Sequence, residues 1–241
     1  MCRMILCAGA TLLIAAIAIQ PATANDDRAC MEAMGDPAIA ACTRVLALDP
    51  KNGSAYFARG EAYNRKGDYD RAIADYDQAI QLDYSKDDWV HIRRGCVYYS
   101  KRDYDRAISD FGRAIHLNPN SIIAYYARGS AYARKGDYDQ AISEFDRAIQ
   151  IYPKHAKAYT GRSEAYSRKG DYDHAITDAA EALRISPELP EAYAARGKAY
   201  EAKNDLDHAI ADFDQALKLD PSLAEAQRGR ERVQALLAKG K

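Results

Sequence analysis

The chain has 241 residues, with 34 lysines and arginines against 35 aspartates and glutamates and a formal net charge of −1. A nucleic-acid partner usually demands a basic stripe, so this balance argues against one. Hydrophobic residues make up 48% of the chain. After the leader, however, nothing approaches the ~18 consecutive apolar residues of a membrane span, so no membrane insertion is expected once the leader is removed.

Met1 to Met4 carries Arg3, residues 5–19 are apolar and uncharged, and Ala22-Thr23-Ala24 supplies small residues for cleavage. Residues 1–24 therefore read as a secretory signal peptide. Leu6, not a small residue, precedes Cys7, so lipidation is not expected. Residues 25–52 read as a degraded first repeat. Ala38, Cys42, Val45 and Leu48 lie 34 positions before Ala72, Tyr76, Ala79 and Leu82. Cys30 and Cys42 are equidistant from Asp36, in the Gly35-Asp36-Pro37 turn. That places them at similar heights on two antiparallel helices and predicts a disulfide in an oxidising compartment; two buried thiols acting as small apolar residues are the alternative. Cys96 is left single.

From residue 53 a spacing of 34 or 35 takes over: Ala72, Ala107, Ala141, Ala175 and Ala209 form one column, and Ala79, Ala114, Ala148, Ala182 and Ala216 another. Such periods mark stacked units that cannot bury their apolar faces alone. Gly60, Gly95, Gly129 and Gly197 stand three residues before Tyr63, Tyr98, Tyr132 and Tyr200, one turn apart on a first helix. Runs such as Ala72, Tyr76, Ala79 and Ala107, Phe111, Ala114 keep to one stripe of a second helix. Between the helices, Gly67-Asp68-Tyr69-Asp70 and its echoes at 102–105, 136–139, 170–173 and 204–207 supply a turn and a capping aspartate. Pro119, Pro153, Pro187 and Pro221 stop the second helices. Residues 224–241 predict an amphipathic capping helix, polar outside.

The Gly-x-x-Tyr, Ala-x-x-x-Phe/Tyr-x-x-Ala and proline columns resemble the tetratricopeptide repeat. Five full units fit, at 53–86, 88–121, 122–155, 156–189 and 190–223. One departure is general: Arg59, Arg94, Arg128, Arg162 and Arg196 fill a column where that family typically has leucine. The resemblance implies an all-α, right-handed superhelical solenoid of antiparallel helix pairs. Its concave side, lined by first helices, would receive peptide segments of partner proteins.

Placed on that geometry, Phe57, Trp89, Ile92, Tyr99, Ile123 and Tyr126 are the expected partner-binding residues of an apolar half-groove. Lys157, Thr160, Glu164, Arg168, Glu191, Lys198 and Glu201 would make a charged half. Unit 4 (156–189) looks weakest, with Ala179 in the aromatic column, Ser163 in the glycine column and Gly161 inside its first helix. The aspartate-rich turns lack the third ligand, the glycine and the bidentate glutamate of a calcium loop. No nucleophile, zinc or phosphate-binding motif occurs. The reading is an exported, non-enzymatic scaffold without cofactor or metal, periplasmic or secreted from a bacterium, that binds peptide segments of envelope proteins. A glycan or lipid ligand is the alternative.

Overall fold

The structure is a computed structural model and describes residues 24–239. The signal-peptide reading of residues 1–24 lies outside the described residues, apart from Ala24 at the start of the first helix. Among the described residues there are thirteen α-helices and no strand. α1 (Ala24–Glu32) and α2 (Gly35–Leu48) form the N-terminal pair. Unit 1 is α3 (Gly53–Arg65) with α4 (Tyr69–Ala79), and unit 2 is α5 (Asp88–Ser100) with α6 (Tyr104–Leu117). Unit 3 is α7 (Ile122–Lys135) with α8 (Tyr138–Ile151), and unit 4 is α9 (Ala156–Lys169) with α10 (Tyr172–Ile185). Unit 5 is α11 (Pro190–Ala202) with α12 (Leu206–Leu219), and α13 (Ala224–Lys239) closes the array. Each helix packs on its chain neighbours, and the first helices also touch one another along the stack. The first helices therefore form one layer, and the second helices cover it.

The turns are as regular as the columns. Asp68, Asp103, Asp171 and Asp205 each accept a hydrogen bond from the backbone N–H three residues on, satisfying one orphan donor of the following helix. Asp137 of unit 3 makes no such bond, but one residue before the turn aspartate the backbone is left-handed in all five units: Gly67 at φ 76°, Arg102 at 61°, Gly136 at 95°, Gly170 at 85° and Asn204 at 60°. Glycine adopts this freely and asparagine tolerably, while Arg102 carries a steric cost of about 1–2 kcal/mol.

Cys30 and Cys42 are joined by a disulfide with 4.6 Å between their Cα atoms, which clamps α1 to α2. After α4 the chain continues as a π-helical turn, Ile80–Tyr84, absorbing the extra residue of unit 1. Asp87 then caps α5 through the Trp89 N–H at 2.8 Å.

The arginines in the leucine column have a common use. Arg59 meets Asp75, Arg94 meets Asp110 and Arg196 meets Asp212, each through Nε and a second nitrogen at 2.6–2.8 Å. Arg162 grips Asp178 in the same manner, and Arg128 reaches both oxygens of Glu144. Every partner is a buried acid on the second helix, sixteen residues on. Burial works against the Arg94 charge, but its hydrogen bonds to Asp110 and Asp77 outweigh burial and raise its pKa. A second contact crosses between units in alternate steps. Arg94 also binds Asp77, Arg162 also binds Asp146, and Arg230 lies 3.7 Å from Asp214. The matching column holds Gly112 and Ala180 in units 2 and 4, so Arg128 and Arg196 have no such acid to reach.

The core explains the glycines and revises the reading of unit 4. A Cβ at Gly95 would stand 2.7 Å from Phe111 Cε1, and one at Gly129 would stand 2.9 Å from Phe145 Cε1. Each ring packs against its own first helix at that glycine. Gly161 serves the ring of the preceding unit: a Cβ there would come within 2.7 Å of Phe145 Cζ. It is a seat, not a defect. Ser163 and Ala179 are fully buried, and the Ser163 hydroxyl donates to the Ala175 carbonyl at 2.7 Å. Gly161 and Ser163 are thus accounted for, while Ala179 still leaves unit 4 without the buried ring that Tyr76, Phe111, Phe145 and Phe213 supply in the other units. Gly161→Ala is expected to destabilise by about 1–3 kcal/mol through overpacking. Gly112→Ala, where the nearest atom is Arg128 Nη1 at 3.4 Å, is expected to stabilise by about 0.5–1 kcal/mol. Urea denaturation of the two variants measures both, and a neutral Gly161→Ala would remove the seat.

Candidate functional site

The concave face is built from first-helix positions two residues before and after each ladder arginine, which at about 100° per residue lie on the opposite side of the helix. In unit 1 this face is occupied by the unit itself. Phe57 stacks on Tyr84 at 5.6 Å and an 8° interplanar angle, and tilts onto Tyr76 at 5.8 Å. The π-helical turn that carries Tyr84 makes this contact possible. Glu61 beside it accepts the Tyr76 hydroxyl and both Nε and Nη2 of Arg93. Burial and that carboxylate raise the Tyr76 pKa well above the phenol range.

Ile92 requires a correction. It is 2% exposed and belongs to the core with Tyr98, Phe111 and Ala124, so no partner can reach it. Trp89, 43% exposed, and Ile123, 50% exposed, are open to solvent. Arg93 lies over the Trp89 ring at 5.7 Å. Cys96, half-buried and free, has its thiol pKa pushed up by burial, which works against reactivity.

The open groove begins at Tyr99 and Tyr126. Together with Ser130, Thr160, Glu164, Leu189 and Glu191 they line a pocket of about 290 Å³, with Arg134 and Lys157 also in the wall. A second hollow of about 540 Å³ adjoins it through Ala133, Arg134 and Glu164, and is bounded by Arg102, Tyr104, Tyr138, Arg168, Lys198 and Glu225. Tyr126 is steadied by Phe145 at 5.8 Å and His155 at 5.3 Å, and Tyr99 by the edge of Tyr104 at 5.6 Å. Burial raises the pKa of both tyrosines, so they stay neutral.

Tyr104, Tyr138, Leu189 and Glu225 were not legible as groove residues. The two tyrosines repeat in the turn column, but a repeat there reads as a capping motif until the fold shows that the first residue of a second helix overhangs the groove.

Carboxylates on this face are mostly matched. Glu61 has Arg93, Glu201 holds Arg232 through two contacts of 2.7 Å, and Glu225 holds Lys198. Glu164 differs: among the described residues no cation lies within ion-pairing distance of it. Water reaches its carboxylate, yet protein surrounds it on every side of the bowl. That enclosure raises its pKa first, and repulsion from Glu225 adds to it, against the milder pull of Lys198, Arg168 and Arg134. A carboxyl whose folded pKa is raised opposes folding when ionised, and this cost fades as pH falls through the raised pKa. Glu164→Gln is therefore expected to raise the melting temperature at pH 7, with a smaller gain at pH 4. An equal gain at both values would contradict the enclosure.

Among the described residues, no group of three or more His, Cys, Asp or Glu side chains is placed to hold a metal ion. No helix among them is long and apolar enough to cross a membrane.

Comparison with known families matches the description "Tetratricopeptide repeat" over residues 53–83, 92–156, 156–189 and 190–223. No curated protein matches the chain. Among solved structures, a MamA protein is 30% identical over 69% of this chain and 96% of its own, with a TM-score of 0.60. YrrB, described as having an unusual peptide-binding site, is 20% identical over 79% of this chain and 97% of its own, with a TM-score of 0.61. A thermophilic tetratricopeptide repeat protein of Thermus thermophilus is 20% identical over 76% and 99%, with a TM-score of 0.62. The likeness to the last two is one of fold.

Proposed function

This chain belongs to the tetratricopeptide repeat family, and from that premise we propose that it is a non-enzymatic scaffold gripping an extended segment of a partner protein in its concave groove. The observation that carries the reading is the continuous hollow from Tyr99 and Tyr126 to Lys198 and Glu225. It is concave, aromatic on one side and studded with charged groups on the other, which suits a peptide with mixed side chains. Trp89 and Ile123 are exposed apolar side chains of first helices and would extend it as a rim, and tryptophan is enriched among residues that dominate binding energy.

The proposal includes export to a bacterial envelope or beyond it, where the partners would be envelope proteins. Two features support it. Arg3, the apolar stretch 5–19 and Ala22-Thr23-Ala24 form a leader pattern, and Cys30 and Cys42 form a disulfide, a bond that persists in oxidising compartments.

Crosslinking of the protein in its own cells, followed by fractionation and mass spectrometry, is expected to recover a defined set of envelope proteins. Trp89→Ala should weaken binding to a recovered partner by about 2 kcal/mol, roughly 30-fold, with an unchanged helical signal. Wild-type affinity in that variant would remove the rim from the site. Binding to purified cell-wall material or lipid with no protein captured would replace the scaffold reading by a non-protein ligand.

A further inference from the structure

The groove leaves Glu164 without a counter-ion where its two hollows meet: the carboxylate lines both and is open to water, and among the described residues no cation lies within ion-pairing distance of it. Around Glu164 stand the rings of Tyr99 and Tyr126 and the hydroxyls of Ser130 and Thr160, with Glu191 at the mouth. Three other carboxylates of the concave face have a cation of the protein's own, Arg93 for Glu61, Arg232 for Glu201 and Lys198 for Glu225, whereas Glu164 and the exposed Glu191 of the same pocket have none among the described residues. A carboxylate in a concave wall with no ion pair of its own is free to attract a ligand of opposite sign.

We propose that this pocket takes one lysine or arginine side chain of the bound segment, with Glu164 as counter-charge and the faces of Tyr99 and Tyr126 against the aliphatic stem and cationic head. The assignment rests on the peptide-scaffold reading above and refines it. Its chemistry is cation recognition by a carboxylate and π-faces in a site partly shielded from water. The nearby cations limit it to a single basic residue. Lys198 is engaged by Glu225, while Arg134 and, in the adjoining hollow, Arg102 keep their charge. Lys157 and Arg168, both exposed, remain to repel a second ligand cation and to attract acidic residues on either side of the first. The segment that fits is one basic residue among acidic or neutral neighbours.

The test is parallel selection of phage-displayed random heptapeptides on the full chain and on Glu164→Gln, with thermal melts showing that both are folded. Peptides selected on the wild type are expected to share a lysine or arginine at one position. A selected sequence, synthesised with an acetylated N-terminus so that only the side chain supplies the cation, should bind Glu164→Gln at least tenfold more weakly. Glu164→Asp should keep part of that affinity, and changing the peptide's basic residue to glutamine should abolish the difference between the proteins. Selection of acidic peptides without a basic residue, or equal affinity for wild type and Glu164→Gln, overturns the basic-residue pocket and leaves the groove standing. Loss of affinity on acetylation would assign the pocket to a terminal amine and overturn the side-chain assignment. Failure to select any peptide on the wild type overturns both readings.

Discussion

An arginine held against a buried carboxylate on the partner helix recurs in all five full units, from Arg59 with Asp75 to Arg196 with Asp212, and it fixes how each first helix is turned about its axis. Leucine in that column would close the helix pair through contacts that tolerate sliding. In four of the five units the arginine grips through two nitrogens, which admits one register, while Arg128 meets both oxygens of Glu144 through Nη2 alone. Residues two before and two after the arginine then point to the other side of the helix, and these are Tyr126 and Ser130 around Arg128, and Thr160 and Glu164 around Arg162. The groove inherits its geometry from the ladder behind it. In the units that have one, the aromatic ring packed against a first-helix glycine sets how closely the two helices approach.

The units are also not equally joined. Where the preceding second helix offers an aspartate, as at Asp77 and Asp146, the ladder arginine spans two units; where it offers Gly112 or Ala180, it serves only its own. Outside this, Lys135 with Asp105 at 2.7 Å exemplifies an exposed ladder that links successive turns. Such exposed pairs contribute little each, so the join between units rests on the apolar contact and on the buried arginines. A stack of this kind derives its stability from units and their nearest neighbours, which lets single positions such as Arg102 carry strain without consequence far away.

Much of this was legible in the columns. Alanine spacing, turn glycines and terminal prolines define the helices because each follows from the geometry of one helix and its ends. The arginine column was visible as a departure, but its meaning was not, since the acids that answer it lie sixteen residues away on another helix and vary between Asp and Glu. The groove was half legible. Position in the repeat identified Tyr99, Tyr126 and Glu164, yet placed Ile92 in the open and left Phe57 uncovered. The error at Phe57 arises at the irregular unit 1 to unit 2 junction, where a π-helical turn brings Tyr84 over Phe57, while Ile92 stands in a column that is buried at Thr160 and Ala194 as well. Gly161 shows the same limit in a different form: as a single helix residue it is a weakness, while beside Phe145 of the preceding unit it is the space a ring requires.

Substitution of the Arg196 and Asp212 pair tests the ladder most directly, because Arg196 has no second carboxylate to complicate the result. Arg196→Leu leaves Asp212 buried and unpaired and should cost about 3–5 kcal/mol in chemical denaturation. Arg196→Leu combined with Asp212→Met should recover most of that loss, since an apolar pair can replace a buried ion pair. A single substitution that leaves stability unchanged, or a double variant that loses the sum of both single losses, would contradict the view that this pair holds the two helices in register.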